Sequence, residues 1–184
     1  MNEQLTFWED EPESESPDKA TQLSVGRTKY ILDAACGSRM FWFNREHPHT
    51  VYMDNRETDE TLCDGRRLII KPDVLGDFRD MPFADESFRL VVFDPPHMVQ
   101  LGKNSWLCRK YGKLSRESWK QDIAYGFREC FRVLKPYGVL VFKWNEEQIQ
   151  LSKIIDLSPI PPLFGYRGGK VGKTHFLVFI KEKL

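Results

Sequence analysis

Residues 29–38 read Lys-Tyr-Ile-Leu-Asp-Ala-Ala-Cys-Gly-Ser, an apolar run that ends in an acid, small residues and a glycine. The apolar run predicts a strand over residues 29–34. The small residues after it, with Gly37, would let the backbone approach a ligand closely. In an open parallel sheet, ligands bind beyond the carboxyl ends of the strands, where the strand order reverses. The stretch therefore predicts a strand that ends at a binding site.

Short apolar runs of the same kind recur along the chain. Further strands are predicted over residues 50–53, 72–75, 90–93, 139–144 and 174–181. An amphipathic helix is predicted from near Ser115 to Leu134, because apolar residues repeat at three- and four-residue spacing before a turn at residues 135–138. The segment 57–67 is weakly helical in sequence, so we expect only short helices there. Together these elements indicate a compact, doubly wound α/β sheet.

The composition separates an acidic N-terminal segment from the rest of the chain. The 184 residues are 41% hydrophobic and 29% charged, which fits one globular domain over residues 27–184. Residues 1–26 are rich in Glu, Ser and Pro and are predicted to form a disordered tail, in which Leu5, Phe7 and Trp8 could dock on the domain or a partner. The tail holds seven acidic residues, so the remainder has a modest basic surplus that is compatible with a polyanionic partner.

Cysteine spacing and hydropathy limit the class of protein. The four cysteines are far apart, which argues against a disulfide framework and a zinc ribbon, and we predict no metal site. No apolar run reaches the roughly 20 residues that a membrane span needs. The first residues are acidic, whereas a secretory signal is basic and then apolar. We therefore expect a cytoplasmic protein with reduced thiols and no membrane partner.

Acidic residues follow three of the predicted strands, at Asp33, Asp54 and Asp94. Asp54 lies 21 residues after Asp33. An acid about 20 residues beyond a glycine turn is placed to accept hydrogen bonds from ribose hydroxyls. An isolated acid at a strand end is usually a cap or a solvated residue. It is the recurrence of acids at successive strand ends that favours a cofactor site.

In this order of motifs the chain resembles the class I S-adenosylmethionine-dependent methyltransferases over most of residues 28–184. The loop 33–38, the stretch 76–92 and the turn 134–140 carry the resemblance, with Tyr137 where glycine is more usual. The resemblance implies a Rossmann-like α/β fold, with a mostly parallel twisted sheet and a C-terminal antiparallel strand. It also implies S-adenosylmethionine as the cofactor.

The same resemblance implies a role for the residues at the strand ends. Asp33 and Gly37 would line the methionine part of the cofactor, and Asp54 would hold its ribose. Asp77 with Phe78 would contact the adenine. The cofactor-binding candidates are Asp33, Ala34, Cys36, Gly37, Asp54, Asn55, Asp77, Phe78 and Asp94.

The sequence Asp94-Pro95-Pro96-His97 resembles the Asp-Pro-Pro-aromatic motif of enzymes that methylate a planar amino group, above all that of adenine. Such a nitrogen is a poor nucleophile because its lone pair is delocalised into the ring. The Asp94 carboxylate and the Pro95 carbonyl could accept both amino hydrogens and aim the lone pair at the methyl carbon. His97 replaces the usual aromatic residue, and it could stack on the base, relay a proton or simply close the turn. These four residues are the catalytic candidates.

Two basic segments are candidates for substrate contact. Residues 97–116 contain five basic residues, two large aromatic residues and no acid, and residues 164–173 form a glycine-rich basic turn. Basic and aromatic residues together suit phosphate contacts and base stacking, although a solvated loop would have the same composition. The substrate-binding candidates are Lys103, Trp106, Arg109, Lys110, Tyr111, Arg167, Lys170 and Lys173.

We therefore predict a methyltransferase that acts on an exocyclic amino nitrogen, with adenine in DNA as the favoured acceptor. RNA or a protein glutamine amide is the alternative acceptor, and a cofactor-binding regulator without activity is the alternative class of protein. Small methyltransferases of this kind are similar to those of bacteriophages and prophages. The chain leaves no room for a separate target-recognition domain, so specificity would be low, come from the two basic segments, or come from a second subunit in a homodimer.

Overall fold

The structure is a computed structural model that describes residues 26, 28–102, 105–166 and 172–183. The predicted tail, apart from Gly26, lies outside the described residues. The substrate-binding candidates Lys103, Arg167 and Lys170 lie outside them as well.

Within the described residues the chain forms nine strands and three helices. The strands are β1 (Ile31–Asp33), β2 (Thr50–Asp54), β3 (Thr58–Thr61), β4 (Arg67–Ile70), β5 (Val74–Leu75), β6 (Phe88–Phe93), β7 (Leu134–Asn145), β8 (Phe164–Tyr166) and β9 (Thr174–Ile180). The helices are α1 (Trp106–Tyr111), α2 (Trp119–Val133) and α3 (Leu151–Ile155). All six predicted strands are present with shifted ends, whereas β3, β4, β8, α1 and α3 were not predicted.

Seven strands form one sheet in the order β5-β2-β1-β6-β7-β9-β8. The strands from β5 to β7 pair in parallel, and β9 runs antiparallel to both β7 and β8. This confirms the predicted α/β fold with a mostly parallel sheet and an antiparallel strand near the C-terminus. The chain moves outward in opposite directions from β1 and β6, so the carboxyl ends of these two strands flank the switch point where ligands bind.

The expectation of short helices over residues 57–67 is wrong, because β3 and β4 form a two-stranded antiparallel hairpin. The turn contains Asp64-Gly65, with Gly65 at φ 80°, a backbone conformation that suits glycine. The buried side chains of Leu62, Leu68 and Ile70 form a small core of their own under the hairpin. The Asp64-Gly65 turn and the alternating burial of β4 favour the hairpin over the helix that the weak pattern predicted.

Helix α2 packs its apolar face against the centre of the large sheet. Phe127 lies 4.8 Å from Phe142 of β7, measured between ring centroids. A Cβ atom at Gly126 would lie 2.6 Å from the ring of Phe93, so glycine permits the close approach of helix and sheet. The helix begins later than predicted, because Ser115 and Glu117 hydrogen-bond to each other in a preceding turn.

The chain enters β7 directly after α2, so residues 135–138 are part of the strand rather than a separate turn. Tyr137 adopts a positive φ of 60°, and the register between β6 and β7 shifts at this point. This bulge lets the strand begin without the predicted turn. In the described part of the chain, no helix is long and apolar enough to cross a membrane.

Candidate active site

A cavity of about 660 Å³ lies at the carboxyl ends of β1, β2 and β6. Its walls come from the segments that follow these strands, at residues 33–38, 54–56 and 94–97. Residues 110–113 close one side, and Lys143 of β7 lies on another. The volume is in the range of pockets that hold a small-molecule ligand, about 300–1,000 Å³.

The cavity brings together most of the cofactor-binding candidates, because the ends of parallel strands share one edge of the sheet. It is lined by Asp33, Ala34, Cys36, Gly37, Asp54, Asn55, Phe78 and Asp94. The one candidate that does not line it is Asp77. The Asp77 carboxylate instead accepts a hydrogen bond from Nε of Arg79 at 2.9 Å, and this contact lowers the pKa of Asp77. A role of Asp77 at adenine stays a prediction that requires Arg79 to move.

Asp33 is the most deeply buried acid of the cavity, with 2% of its surface exposed. Its Oδ2 accepts a hydrogen bond from Nε1 of Trp42 at 2.7 Å, and its Oδ1 accepts one from the Ala35 amide at 3.3 Å. Burial, with a smaller contribution from the carboxylates of Asp94 and Asp54, raises the pKa of Asp33 to about 7, although the hydrogen bonds from Trp42 and Ala35 act in the opposite direction. Asp33 therefore changes charge near neutral pH.

Asp54 connects the ends of β1 and β2. Its Oδ2 accepts a hydrogen bond from the Gly37 amide at 2.8 Å, and its Oδ1 accepts two from Arg56 at 3.0 and 3.1 Å. Arg56 also donates from Nη1 to the Arg109 carbonyl at 3.0 Å. Arg56 therefore links the end of β2 to α1. It also hydrogen-bonds to the Asp54 carboxylate, which the sequence predicts to contact a ribose.

Asp94 forms an ion pair with Lys143 inside the cavity. The Lys143 ammonium contacts Oδ2 of Asp94, and both side chains are about one quarter exposed. Oδ1 of Asp94 accepts no hydrogen bond from any described residue. Lys143 thus holds Oδ2 of Asp94, and Oδ1 remains able to accept a hydrogen bond from a ligand.

His97 lies between two aromatic side chains at the end of the motif. Its ring is 6.2 Å from Trp144 and 6.3 Å from Tyr111, measured between ring centroids. Burial lowers the pKa of His97, and the positive charge of Lys143 acts in the same direction while Asp94 opposes it. The imidazole is therefore neutral at neutral pH, which suits contact with an uncharged ring.

The substrate-binding candidates divide between two cavities. Lys110 and Tyr111 line the main cavity, and Trp106 and Arg109 line a smaller one beside the β3–β4 hairpin. Lys173 lines neither, and its ammonium pairs with Glu147 at 2.5 Å. Helix α1 therefore presents side chains to both cavities.

The end of α1 is packed directly on the motif. Gly112 has a φ of 72°, and a Cβ atom there would lie 3.1 Å from Cγ of Pro96. Glycine at this position lets the chain turn back against the motif without a clash. This contact places Lys110 and Tyr111 beside Asp94 and His97.

The cysteines and the histidines near residue 47 form no metal centre within the residues described. There, no three His, Cys, Asp or Glu side chains come together in a group that could hold a metal ion. All four cysteines are free thiols. Burial raises the pKa of Cys36, so its thiol is protonated at neutral pH and is a poor nucleophile although it lines the cavity.

Comparison with known proteins identifies the fold. No protein-family model matches the sequence, and no curated protein sequence is similar to it. Among solved structures, the PH0226 protein from Pyrococcus horikoshii is 17% identical, with a TM-score of 0.53, over 84% of this chain and 82% of that one. An rRNA methylase from Streptococcus thermophilus is 10% identical, with a TM-score of 0.52, over 87% and 91%.

The strand order of the sheet and the similarity to these solved structures indicate the same fold. The chain has the Rossmann-like fold of class I methyltransferases. At such identities the likeness concerns the fold, and the chemistry has to be argued from the cavity itself.

Three residues at or beside the cavity were not predicted from the sequence. Lys143 stands between buried Phe142 and Trp144, and a lysine inside a buried strand was the signal that could have revealed it. Trp42 and Arg56 left no such signal, because their importance arises from contacts with Asp33 and Asp54 in the folded chain.

Proposed function

We propose that the protein is an S-adenosylmethionine-dependent methyltransferase that acts on an exocyclic amino nitrogen, with adenine in DNA as the acceptor. The observation that carries the proposal is the position of Asp94-Pro95-Pro96-His97 at the end of β6. These residues share one cavity with Asp33, Gly37 and Asp54. A motif suited to hold an amino group thus faces a site suited to hold the methyl donor.

The residues present fit S-adenosylmethionine. The cofactor carries a positive sulfonium and an ammonium group, and the cavity contains the carboxyl groups of Asp33, Asp54 and Asp94. A Cβ atom at Gly37 would meet nothing within 4 Å, so this backbone is open to a ligand. Asp54 can accept hydrogen bonds from ribose hydroxyls if Arg56 moves aside, since Arg56 hydrogen-bonds to its carboxylate.

S-adenosylmethionine supplies a methyl group on a positively charged sulfur, which is a good leaving group. The protein has to orient the amine, and Oδ1 of Asp94 and the Pro95 carbonyl are suited to accept hydrogen bonds from its two N–H groups. As the nitrogen gains the methyl group, the C–S bond breaks to leave the neutral thioether, and the nitrogen loses one proton to solvent. Lys143 fixes the Asp94 carboxylate through its other oxygen. The neutral ring of His97 and the ring of Tyr111 can contact the faces of the base. Such positioning contributes most of the acceleration in transfers of this kind.

The basic and aromatic residues in the cavity lining support a nucleic acid as the substrate. Lys110 and Lys113 line the cavity beside Tyr111, so cations and an aromatic ring stand at the motif. A base in a duplex is inaccessible to this site, and it must be flipped out or already single-stranded. DNA is the acceptor that the resemblance of the motif favours.

The test is transfer of a labelled methyl group from S-adenosylmethionine to unmethylated DNA, followed by digestion to nucleosides. We expect label in N6-methyldeoxyadenosine. Asp94→Ala should abolish transfer while the affinity for the cofactor, measured by calorimetry, stays within several-fold. Asp85→Asn is the matched control, because Asp85 pairs with Arg132 at the surface and does not line the cavity.

Three results would contradict the acceptor, the role of the motif and the cofactor, respectively. Label in RNA or protein instead of DNA would refute the acceptor and keep the cofactor. Full turnover in Asp94→Ala would refute the role of the motif. Failure to bind S-adenosylmethionine would refute the proposal as a whole.

A further inference from the structure

We infer that the smaller cavity, between the β3–β4 hairpin and α1, binds the nucleobase next to the target base. The inference rests on the proposed function, because it takes the acceptor to be a base within a polynucleotide. The cavity shares no lining residue with the cavity that holds the Asp-Pro-Pro-His motif, and it plays no part in the chemistry described above.

The cavity has the size and the walls that a single base requires. Its volume is about 270 Å³, just below the range of about 300–1,000 Å³ for pockets that hold drug-sized ligands. Its lining combines an indole, a guanidinium, a hydroxyl, a thiol and a leucine side chain, from Trp106, Arg109, Thr61, Cys63 and Leu62. An aromatic wall with polar groups at the edge matches a flat ring that carries donors and acceptors at its rim.

The Trp106 ring is the aromatic wall of the cavity. The guanidinium carbon of Arg66 lies 5.2 Å from the centre of the ring, and Arg66 is itself held by Asp64. Arg109 forms an ion pair with Glu60 of β3, so its charge is compensated inside the wall. A base that stacks on the indole would replace Arg66 or Lys110, which both lie over the ring.

Lys110 connects the two cavities. Its ammonium lies 5.7 Å from the centre of the Trp106 ring and 5.0 Å from that of Tyr111. Tyr111 belongs to the main cavity, so the order of groups is aromatic, cationic, aromatic. This order matches two neighbouring nucleotides, in which a phosphate links the two sugars that carry the bases.

The spacing along α1 is compatible with such a pair. Trp106 and Tyr111 are five residues apart, which corresponds to about 7.5 Å along a helix axis. Stacked nucleotides advance by about 3.4 Å, so this distance is within the reach of adjacent nucleotides once they are unstacked.

The hairpin is fixed relative to the main site, which a positioning function requires. It has its own core of Leu62, Leu68 and Ile70. The Arg109–Glu60 ion pair joins it to α1, and the hydrogen bond from Arg56 to the Arg109 carbonyl joins α1 to the end of β2. A base bound beside Trp106 would therefore hold the strand at a fixed distance from Asp94.

The test uses single-stranded oligonucleotides with one adenine, in which the nucleotide on its 5′ or 3′ side is intact or abasic. For the wild-type protein we expect one of the two abasic substitutions to raise KM by about 10- to 100-fold, as the loss of one stacked base does. Trp106→Ala should raise KM for the intact strand by a similar factor and lose the sensitivity to the abasic site. Trp106→Phe should keep most of that sensitivity, and kcat should change little in either variant.

Two further variants separate this role from general effects. Phe164→Ala removes an exposed aromatic side chain on β8, at the far edge of the sheet, and should change neither KM nor the abasic effect. Lys110→Gln should lower the slope of log KM against log salt by about one unit, as expected when one phosphate contact is lost.

Measurements of oligonucleotide binding separate the inference about the smaller cavity from the proposed methyl transfer. Fluorescence anisotropy of labelled intact and abasic strands reports on the cavity without methyl transfer. Abasic sensitivity of binding that requires Trp106, without any transfer, would support the inference and overturn the proposed function. Transfer and binding that ignore both abasic sites, or a Trp106→Ala variant that keeps the wild-type sensitivity, would overturn the inference and leave the proposed function standing.

Discussion

Replacing Asp33 by Asn should stabilise the protein, and the gain should increase with pH. Asp33 is 2% exposed, and burial raises its pKa from 3.8 to about 7. In the unfolded chain the carboxyl group keeps its ordinary pKa. Between about pH 4 and pH 7 the folded state therefore holds a proton that the unfolded state has lost. Stability in the wild-type protein falls as pH rises through this window.

The size of the effect follows from the shift. A rise from 3.8 to about 7 corresponds to about 4 kcal/mol at about 1.4 kcal/mol per pKa unit, reached in full only above pH 7. Asn cannot accept hydrogen bonds from both Trp42 and Ala35, which subtracts about 1 kcal/mol at every pH. The subtraction cancels in the comparison of two pH values. The advantage of the variant should thus grow by about 2–3 kcal/mol between pH 5 and pH 8.5.

Urea unfolding of the wild-type protein and Asp33→Asn at pH 5, 7 and 8.5 measures this change. Asp85→Asn is the control, because the side chain of Asp85 is 64% exposed and its pairing with Arg132 is at the surface. A difference between Asp33→Asn and the wild type that is constant across pH, or that shrinks as pH rises, would refute the reasoning.

Three other predictions concern the cavity and the packing of α2 against the sheet. The affinity for S-adenosylmethionine should fall below about pH 7, because a protonated Asp33 offers no negative charge to the cationic cofactor, and calorimetry should show a flat profile in Asp33→Asn. Lys143→Met should lower kcat by about 10-fold or more by freeing Asp94, and Lys143→Arg should restore part of it; an unchanged kcat in Lys143→Met would contradict the assigned contact. Gly126→Ala should cost about 1–3 kcal/mol in urea unfolding, because its Cβ would lie 2.6 Å from Phe93, and a neutral effect would show that the helix can shift freely.

The sequence predicted the large sheet and the meeting of acids at its edge. Asp33 and Asp54 are the last residues of β1 and β2, Asp94 directly follows β6, and the parallel pairing of β1 with β2 and β6 brings them to one cavity. This part was predictable because parallel strands place their carboxyl ends together. The order of short apolar runs was sufficient for that inference.

The rest depended on contacts that a linear pattern does not contain. The hairpin was missed because polar β3 has no apolar alternation, although the Asp64-Gly65 turn was a usable signal. Asp77, which the resemblance assigns to adenine, accepts a hydrogen bond from Arg79, two residues along the chain, and this contact was not predicted from the linear pattern. The Lys143–Asp94 pair joins residues 49 positions apart and appears only in the folded chain.

The central claim is that Asp94 presents the amino group of adenine to S-adenosylmethionine. Its most direct test is mass spectrometry of two short single-stranded DNAs after incubation with the protein and cofactor, one with a single adenine and the other with purine, which lacks the amino group, in its place. We expect the adenine strand to gain one methyl group with the wild-type protein and none with Asp94→Ala, and the purine strand to gain none. A methyl group on the purine strand, or none on the adenine strand while the protein binds the cofactor, would contradict the central claim.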